Sequence, residues 1–229
     1  MPVVVAFLSQ KGGVGKSTLA RALATLAAQS GVKVFVADLD AQQKTIVHWQ
    51  ERRTSRAITP TITVENLSDI DDALSAAEGY QLLVVDASGR ASAATLEIAK
   101  YAHVVVQPTG AGLDDLYPGV LLFHELVGEG IPRERLVFAL CRTSSKQEEN
   151  AARDYLGKTQ YTVLPGSIPE QVIYRYAQNV GRAVTETDDV ALNARADEML
   201  TGLFGKLKLE IERLKLSVLG KVRLTGSKT

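Results

Sequence analysis

The sequence predicts an α/β domain built as a doubly wound, mainly parallel sheet with helices on both faces. Three observations carry this. Apolar, β-branched runs alternate with segments of helical periodicity, joined by short connections. A glycine-rich stretch stands between the first such run and the first helix. Two later runs end in aspartate, at Asp38 and Asp86, which gathers carboxylates at the strand ends where open α/β sheets bind ligands.

A chain of 229 residues with 45% hydrophobic content is large enough to bury a full core in one domain. Its 26 basic residues balance 26 acidic ones, so any nucleic-acid surface must be local. The single cysteine, Cys141, excludes a disulfide framework, fits a reducing cytoplasm and argues against a bridging iron–sulfur cluster. No basic region precedes an apolar helix at the N-terminus, and no apolar run approaches the roughly 20 residues that span a bilayer. The expectation is a protein neither exported nor integral to a membrane.

The first apolar run, residues 3–8, leads into Gln10-Lys11-Gly12-Gly13-Val14-Gly15-Lys16-Ser17-Thr18. Three glycines let the backbone curl so that successive N–H groups point at one anion, and the next helix adds the positive end of its dipole. Lys16 supplies charge at the β- and γ-phosphates of a nucleotide, and the Ser17 hydroxyl a ligand for Mg²⁺. Gly12, Gly13, Val14, Gly15, Lys16, Ser17 and Thr18 are thus the candidate nucleotide-binding residues. Against G-x-x-x-x-G-K-[ST] the first glycine is replaced by Gln10, and a second lysine, Lys11, heads the loop. From 17 to 30, Leu19, Ala22, Leu23, Leu26 and Ala27 repeat at helical spacing, with Gly31 placed to end the helix.

A second buried strand, 32–37, ends in Asp38-Leu39-Asp40-Ala41-Gln42. Alternate residues leaving a strand tip point the same way, so both carboxylates are expected to face one site. Residues 45–53 form an amphipathic helix in which Trp49, the only tryptophan, is a packing residue. After a short strand at 61–64, Asp69, Asp71 and Asp72 open a small helix; carboxylates there complement its dipole and carry no assigned chemistry. Residues 82–86 are four apolar residues ending in Asp86, the form of a Walker B element whose aspartate holds magnesium-bound water. The turn Ala87-Ser88-Gly89-Arg90 follows, its glycine allowing movement.

Strands are expected at 103–107, 136–141 and 161–164, the last of the sheet, and helices at 113–127, 147–156 and 170–178. His48, His103 and His124 show no metal-ligand spacing. From Leu200 onward, Leu200, Phe204, Leu207, Ile211, Leu214 and Val218 recur at helical steps, with cations among the polar positions. Beyond 205 stand seven basic residues and two acidic ones, making 206–229 a locally cationic tail on a domain of residues 1–205.

The run Lys-Gly-Gly-Val-Gly-Lys-Ser, with Asp38-x-Asp40 and Asp86, resembles the deviant Walker A signature of the ParA/MinD family of nucleotide-switched ATPases. The first run begins almost at Met1, which resembles the short ParA-type partition ATPases without an N-terminal helix-turn-helix domain. The resemblance implies Mg-ATP as cofactor and slow hydrolysis in a homodimer that closes around two nucleotides. Lys11 would reach the partner's phosphates, Asp40 would orient the attacking water, and Ser17, Asp38 and Asp86 would hold magnesium. The family's usual proline after the second aspartate is Ala41 here. Arg142, Thr143 and the turn at Ile168-Pro169-Glu170 are the implied adenine contacts. A ParB-like adaptor would stimulate hydrolysis, and the paired form would bind DNA without sequence preference through Lys206, Lys208, Arg213, Lys215, Lys221 and Arg223, placing the protein on the nucleoid. The alternatives are a MinD-like membrane-cycling ATPase, for which the tail lacks aromatics after Phe204, and an ATP-dependent metabolic enzyme.

Overall fold

The computed structural model describes residues 1–89 and 93–225, with side chains as far as 213. Strands β1 (Val3–Phe7), β2 (Val34–Asp38), β3 (Thr63–Asn66), β4 (Leu82–Asp86), β5 (Val104–Thr109), β6 (Leu136–Thr143) and β7 (Thr162–Val163) form a sheet in the order β3-β2-β4-β1-β5-β6-β7. Every pairing is parallel, and the two-residue β8 (Ile168–Pro169) adds to the end of β6.

Helices α1 (Lys16–Gln29), α2 (Thr45–Ser55), α3 (Ile70–Ala76), α4 (Ala93–Tyr101), α5 (Leu113–Gly128), α6 (Lys146–Gly157), α7 (Val172–Asn179) and α8 (Val190–Thr225) cover the two faces. The strands alternate strictly between them. Val5 and Phe7 of β1 join the core shared by α1, α2 and α8, whereas Val4 and Ala6 join the one under α4, α5 and α6.

Register positions the site. Asp86 lies level with Phe7 on one side and with Asp38 on the other. The phosphate loop and both strand-ending carboxylates therefore leave the same edge of three adjacent strands.

Three local expectations are corrected. Helix α4 was not expected; only Ile98 and Ala99 of its nine residues are buried, so its apolar period is weak. Residues 161–164 are not the last strand. The turn at 168–170 contains β8, which pairs with Cys141 and Thr143 across an irregularity at Arg142, a residue in the left-handed region (φ 56°). Helix α8 begins at Val190, ten residues before Leu200, because its first turn is exposed and shows no stripe.

Asp69 caps α3, accepting the Asp72 N–H at 3.0 Å. Trp49 packs as expected, fully buried with its Nε1 donating to the Arg182 carbonyl at 3.0 Å. Helix α8 runs unbroken past residue 205, and Leu207 and Glu210 are buried against the domain. No helix among the described residues is long and apolar enough to cross a membrane.

Candidate functional site

The glycine-rich loop curls because two of its glycines take positive backbone angles that residues with a Cβ rarely adopt, φ 74° at Gly13 and φ 113° at Gly15. Gly15 is needed for space as well, since a Cβ there would sit 3.1 Å from Cys141 Sγ. Lys16 arches back over the loop, its Nζ donating to the Lys11 carbonyl at 3.3 Å. The backbone after β4 lies directly on top: a Cβ at Gly89 would approach Lys16 Nζ to 3.3 Å and Gly12 Cα to 3.4 Å. Arg90 falls outside the described residues. A cavity of about 310 Å³ opens here, lined by Gly12, Gly13, Gly15, Lys16, Ser17, Thr18, Asp40, Asp86 and Gly89 among others. Val14 is buried and does not line it.

Asp86 is buried, with the Ser17 hydroxyl close enough to favour its charged form. Its Oδ1 has no hydrogen-bond partner among the described residues. Burial pushes the carboxyl up to about 7, against the pull of Lys16 and Arg21, and likewise pushes the Lys16 ammonium down. A hydroxyl and an unpaired buried carboxylate oxygen on one cavity wall fit a hard divalent cation such as Mg²⁺. Among the described residues no group of three or more His, Cys, Asp or Glu could hold a metal ion alone. Two protein oxygens leave the other coordination positions of such an ion to phosphate oxygens and water.

Asp40 lines the cavity, and its Oδ1 accepts the N–H groups of Gln42 and Gln43 at 3.1 and 2.9 Å. This turn holds the loop where Ala41 replaces a proline. Asp38 departs from expectation. It is fully buried, its Oδ1 accepts the Asp40 N–H at 3.1 Å, and its Oδ2 accepts those of Ile46 and Val47 at 2.9 and 3.4 Å. It does not line the cavity. The carboxylate expected as a magnesium ligand is turned inward to cap α2.

The two lysines of the loop part company. Lys11 points away from its own loop, ion-pairing with Asp115 and donating to the Asp114 carbonyl at 3.4 Å. Arg142 braces the loop, Nη1 donating to the Gly13 carbonyl at 3.2 Å and Nε to Glu170 at 2.8 Å. Pro169 is buried in β8 and Thr143 is buried opposite it, so the expected adenine contacts Arg142, Thr143 and the turn at 168–170 are neighbours beside the phosphate loop, although Arg142, Thr143 and Pro169 do not line the cavity.

Arg21, Gln43, Thr45 and Gln178 line the cavity and escaped the sequence reading. Arg21 is 5% exposed, donating to Gln178 Oε1 at 2.9 Å and to the Thr45 carbonyl at 2.8 Å. Gln178 Oε1 also accepts the Thr18 hydroxyl at 3.2 Å. An arginine between Ala20 and Ala22, on a helix otherwise rich in small apolar residues, was the available signal.

The tail cations divide. Lys206 pairs with Glu210 at 3.0 Å, and Arg213 pairs with Glu134 at 3.3 Å as well as approaching Glu210. Lys208 is exposed. The side chains of Lys215, Lys221 and Arg223, with Leu214 and Val218 of the expected stripe, lie outside the described residues.

Residues 5–222 match the family model of the CobQ/CobB/MinD/ParA nucleotide binding domain. The chain belongs to this family. Within the ParA/MinD group, it is 32% identical to the chromosome-partitioning ATPase Soj of Thermus thermophilus, across 72% of this chain and 81% of Soj. It is 33% identical to maintenance of carboxysome distribution protein A of Gloeobacter kilaueensis, where the match covers 55% of this chain and only 57% of that relative. Among solved structures, a protein described as a plasmid partition protein from Borrelia burgdorferi, bound to AMPPNP, superposes over 90% of this chain and 100% of its own with TM-score 0.72 at 17% identity. The MinD cell division protein of Aquifex aeolicus covers 89% of this chain and 97% of its own with TM-score 0.69 at 17% identity. These likenesses establish the parallel-sheet fold of the ParA/MinD group.

Proposed function

We propose that this ParA/MinD-type protein binds Mg-ATP, pairs with a second copy around two nucleotides, and hydrolyses ATP slowly to position a plasmid, a chromosome or another cargo in the cytoplasm. The observation that carries this is the convergence of Lys16, the Ser17 hydroxyl, the unpaired Asp86 oxygen and Asp40 on one cavity beside a glycine cradle. Bound Mg²⁺ would neutralise phosphate charge. Lys16 would stabilise charge on the phosphoryl oxygens, Ser17 and Asp86 would hold the ion, and Asp40 would orient water for in-line attack, a reaction governed by electrostatics and positioning.

Support for pairing comes from the outward aim of Lys11. Beside it, Leu113, Tyr117 and Leu121 of α5 are 64%, 57% and 41% exposed at intervals of four residues, a stripe of the kind that meets another protein. The similarity to Soj, a chromosome-partitioning ATPase, supports partition as the role. In this reading a ParB-like adaptor stimulates hydrolysis and non-specific DNA is the surface on which the paired form sits. Within the tail, 206–229, Lys208 with Lys215, Lys221 and Arg223 is the DNA-contacting set, since acidic neighbours neutralise Lys206 and Arg213.

Binding of the purified protein to arbitrary DNA, with ATP, ADP or no nucleotide across a salt series, tests this. Neutralising about four phosphates per protomer gives a log–log salt slope near −3.6, and twice that for a dimer. Binding only with ATP and falling steeply with salt is expected. ATP-driven pairing without DNA binding, followed by sedimentation with anionic liposomes, would transfer the role to a membrane-cycling ATPase of the MinD kind.

A further inference from the structure

The tip of β6 meets the phosphate loop at two consecutive residues. Cys141 lies against Gly15, and Arg142 reaches Gly13 from 129 residues away, its Nη1 donating to the Gly13 carbonyl at 3.2 Å. The place of Arg142 is fixed from its backbone. It holds the left-handed angle φ 56°, which arginine seldom adopts, between Cys141 and Thr143, both of which pair with β8. Behind it the Thr143 hydroxyl donates to Ser167 Oγ at 3.3 Å, which in turn donates to the buried Glu149 at 2.9 Å. In front, the Glu170 carboxylate accepts Nε at 2.8 Å and also pairs with Arg175. An ordinary surface ion pair accounts for Glu170. It does not account for the other arm of the guanidinium, which ends on a backbone carbonyl of the loop.

That carbonyl decides where a neighbouring donor points. The Gly13–Val14 peptide is planar and trans, so its C=O and N–H face opposite ways. Gly13 lines the cavity and Arg142 does not, so holding the carbonyl on the arginine side turns the Val14 N–H toward the cavity. This N–H has no hydrogen-bond partner among the described residues, although Val14 is buried. Glycine at position 13 leaves the peptide free to rotate unless something holds it. We propose that Arg142 is a positioning residue of the nucleotide site, holding the Gly13–Val14 peptide so that the Val14 N–H is aimed at a bound phosphate. This role rests on the reading that the loop takes nucleotide phosphates, and it requires no contact with the base. It works by geometry, since the arginine side chain is 59% exposed and its charge is screened by water.

The test is the affinity of the full chain for ADP and for pyrophosphate, each with Mg²⁺, so that neither hydrolysis nor pairing enters. Arg142→Asn tolerates the left-handed backbone but cannot reach Gly13, and is expected to weaken both ligands by the same factor, about five- to tenfold. Arg142→Gly, which removes any strain at this position, should show the same loss. Arg142→Lys keeps the charge but lacks the fork that spans Gly13 and Glu170, and should stay at least about threefold weaker than wild type. In ¹⁵N-labelled protein the Val14 amide proton should move downfield when ADP saturates wild type, and by about half as much or less in saturated Arg142→Asn. A loss confined to ADP would make Arg142 a contact of the base and overturn the proposal. Unchanged affinity for both ligands, full affinity in Arg142→Gly or Arg142→Lys, or an equal Val14 shift in Arg142→Asn and wild type would overturn it too. Wild type binding neither ADP nor pyrophosphate overturns the phosphate-loop reading and the proposal with it.

Discussion

The Asp38 carboxylate accepts the Ile46 N–H at 2.9 Å from inside the domain, so the first aspartate of the Asp-x-Asp pair holds the start of α2 and only the second, Asp40, faces the cavity. This divides the two carboxylates between stability and chemistry. Asp38→Ala strands three N–H groups in a buried place and is expected to lower unfolding free energy by about 2–4 kcal/mol. Asp40→Ala should leave stability within about 1 kcal/mol and nucleotide affinity within a few-fold while abolishing hydrolysis. Urea titrations alongside phosphate release separate the two; an Asp38→Ala protein as stable as wild type would refute the capping role.

Removing either loop lysine should fail differently. Lys16 lines the cavity and Lys11 does not. Lys16→Ala is expected to weaken binding of a fluorescent ATP analogue by at least about a hundredfold, the loss of a charge-assisted contact in a mostly buried place. Lys11→Ala should leave that binding within about threefold and lose pairing with ATP. Equal losses of nucleotide affinity in the two variants would return Lys11 to its own site.

Asp86 makes the ligand-free protein sensitive to pH. Burial raises its folded pKa from 3.8 to about 7, so the stability associated with the protonated form is complete below about pH 4 and is lost as pH rises through 7. The full excursion is on the order of 4 kcal/mol. Asp86→Asn carries no charge at any pH and should therefore become the more stable protein as pH increases from 5 to 8, while losing Mg-dependent nucleotide binding. Denaturation series without nucleotide at several pH values check this, and parallel curves for the two proteins would contradict it.

On α8, neutralised and unneutralised cations should act unequally. Lys208→Ala is expected to weaken DNA binding at every sequence and to reduce the magnitude of the salt slope by about one for each phosphate no longer neutralised. Lys206→Ala, whose partner Glu210 already balances its charge, should change the slope by less than half as much. Fluorescence anisotropy across a salt series reads both.

The outline of this protein was legible locally. Glycine spacing, the strand-to-helix transition at residue 16 and aspartates at strand ends are properties of neighbouring residues, and they were enough to locate the phosphate loop, Ser17, Asp40 and Asp86 at one edge of a parallel sheet. Helix α4 and the early start of α8 were not legible, because few residues in those stretches are buried and the apolar period fades. The direction of each polar side chain was decided only by packing between distant segments. Asp38 turns inward because the first turn of α2 presents free N–H groups to it, and Lys11 turns outward because α5 offers a carboxylate and a proline-freed carbonyl. Arg21 enters the cavity because Gln178 and the Thr45 carbonyl accept its hydrogen bonds there. Spacing along a chain fixes which residues leave a strand end together; which way each one faces depends on partners that only the folded sheet brings within hydrogen-bonding distance.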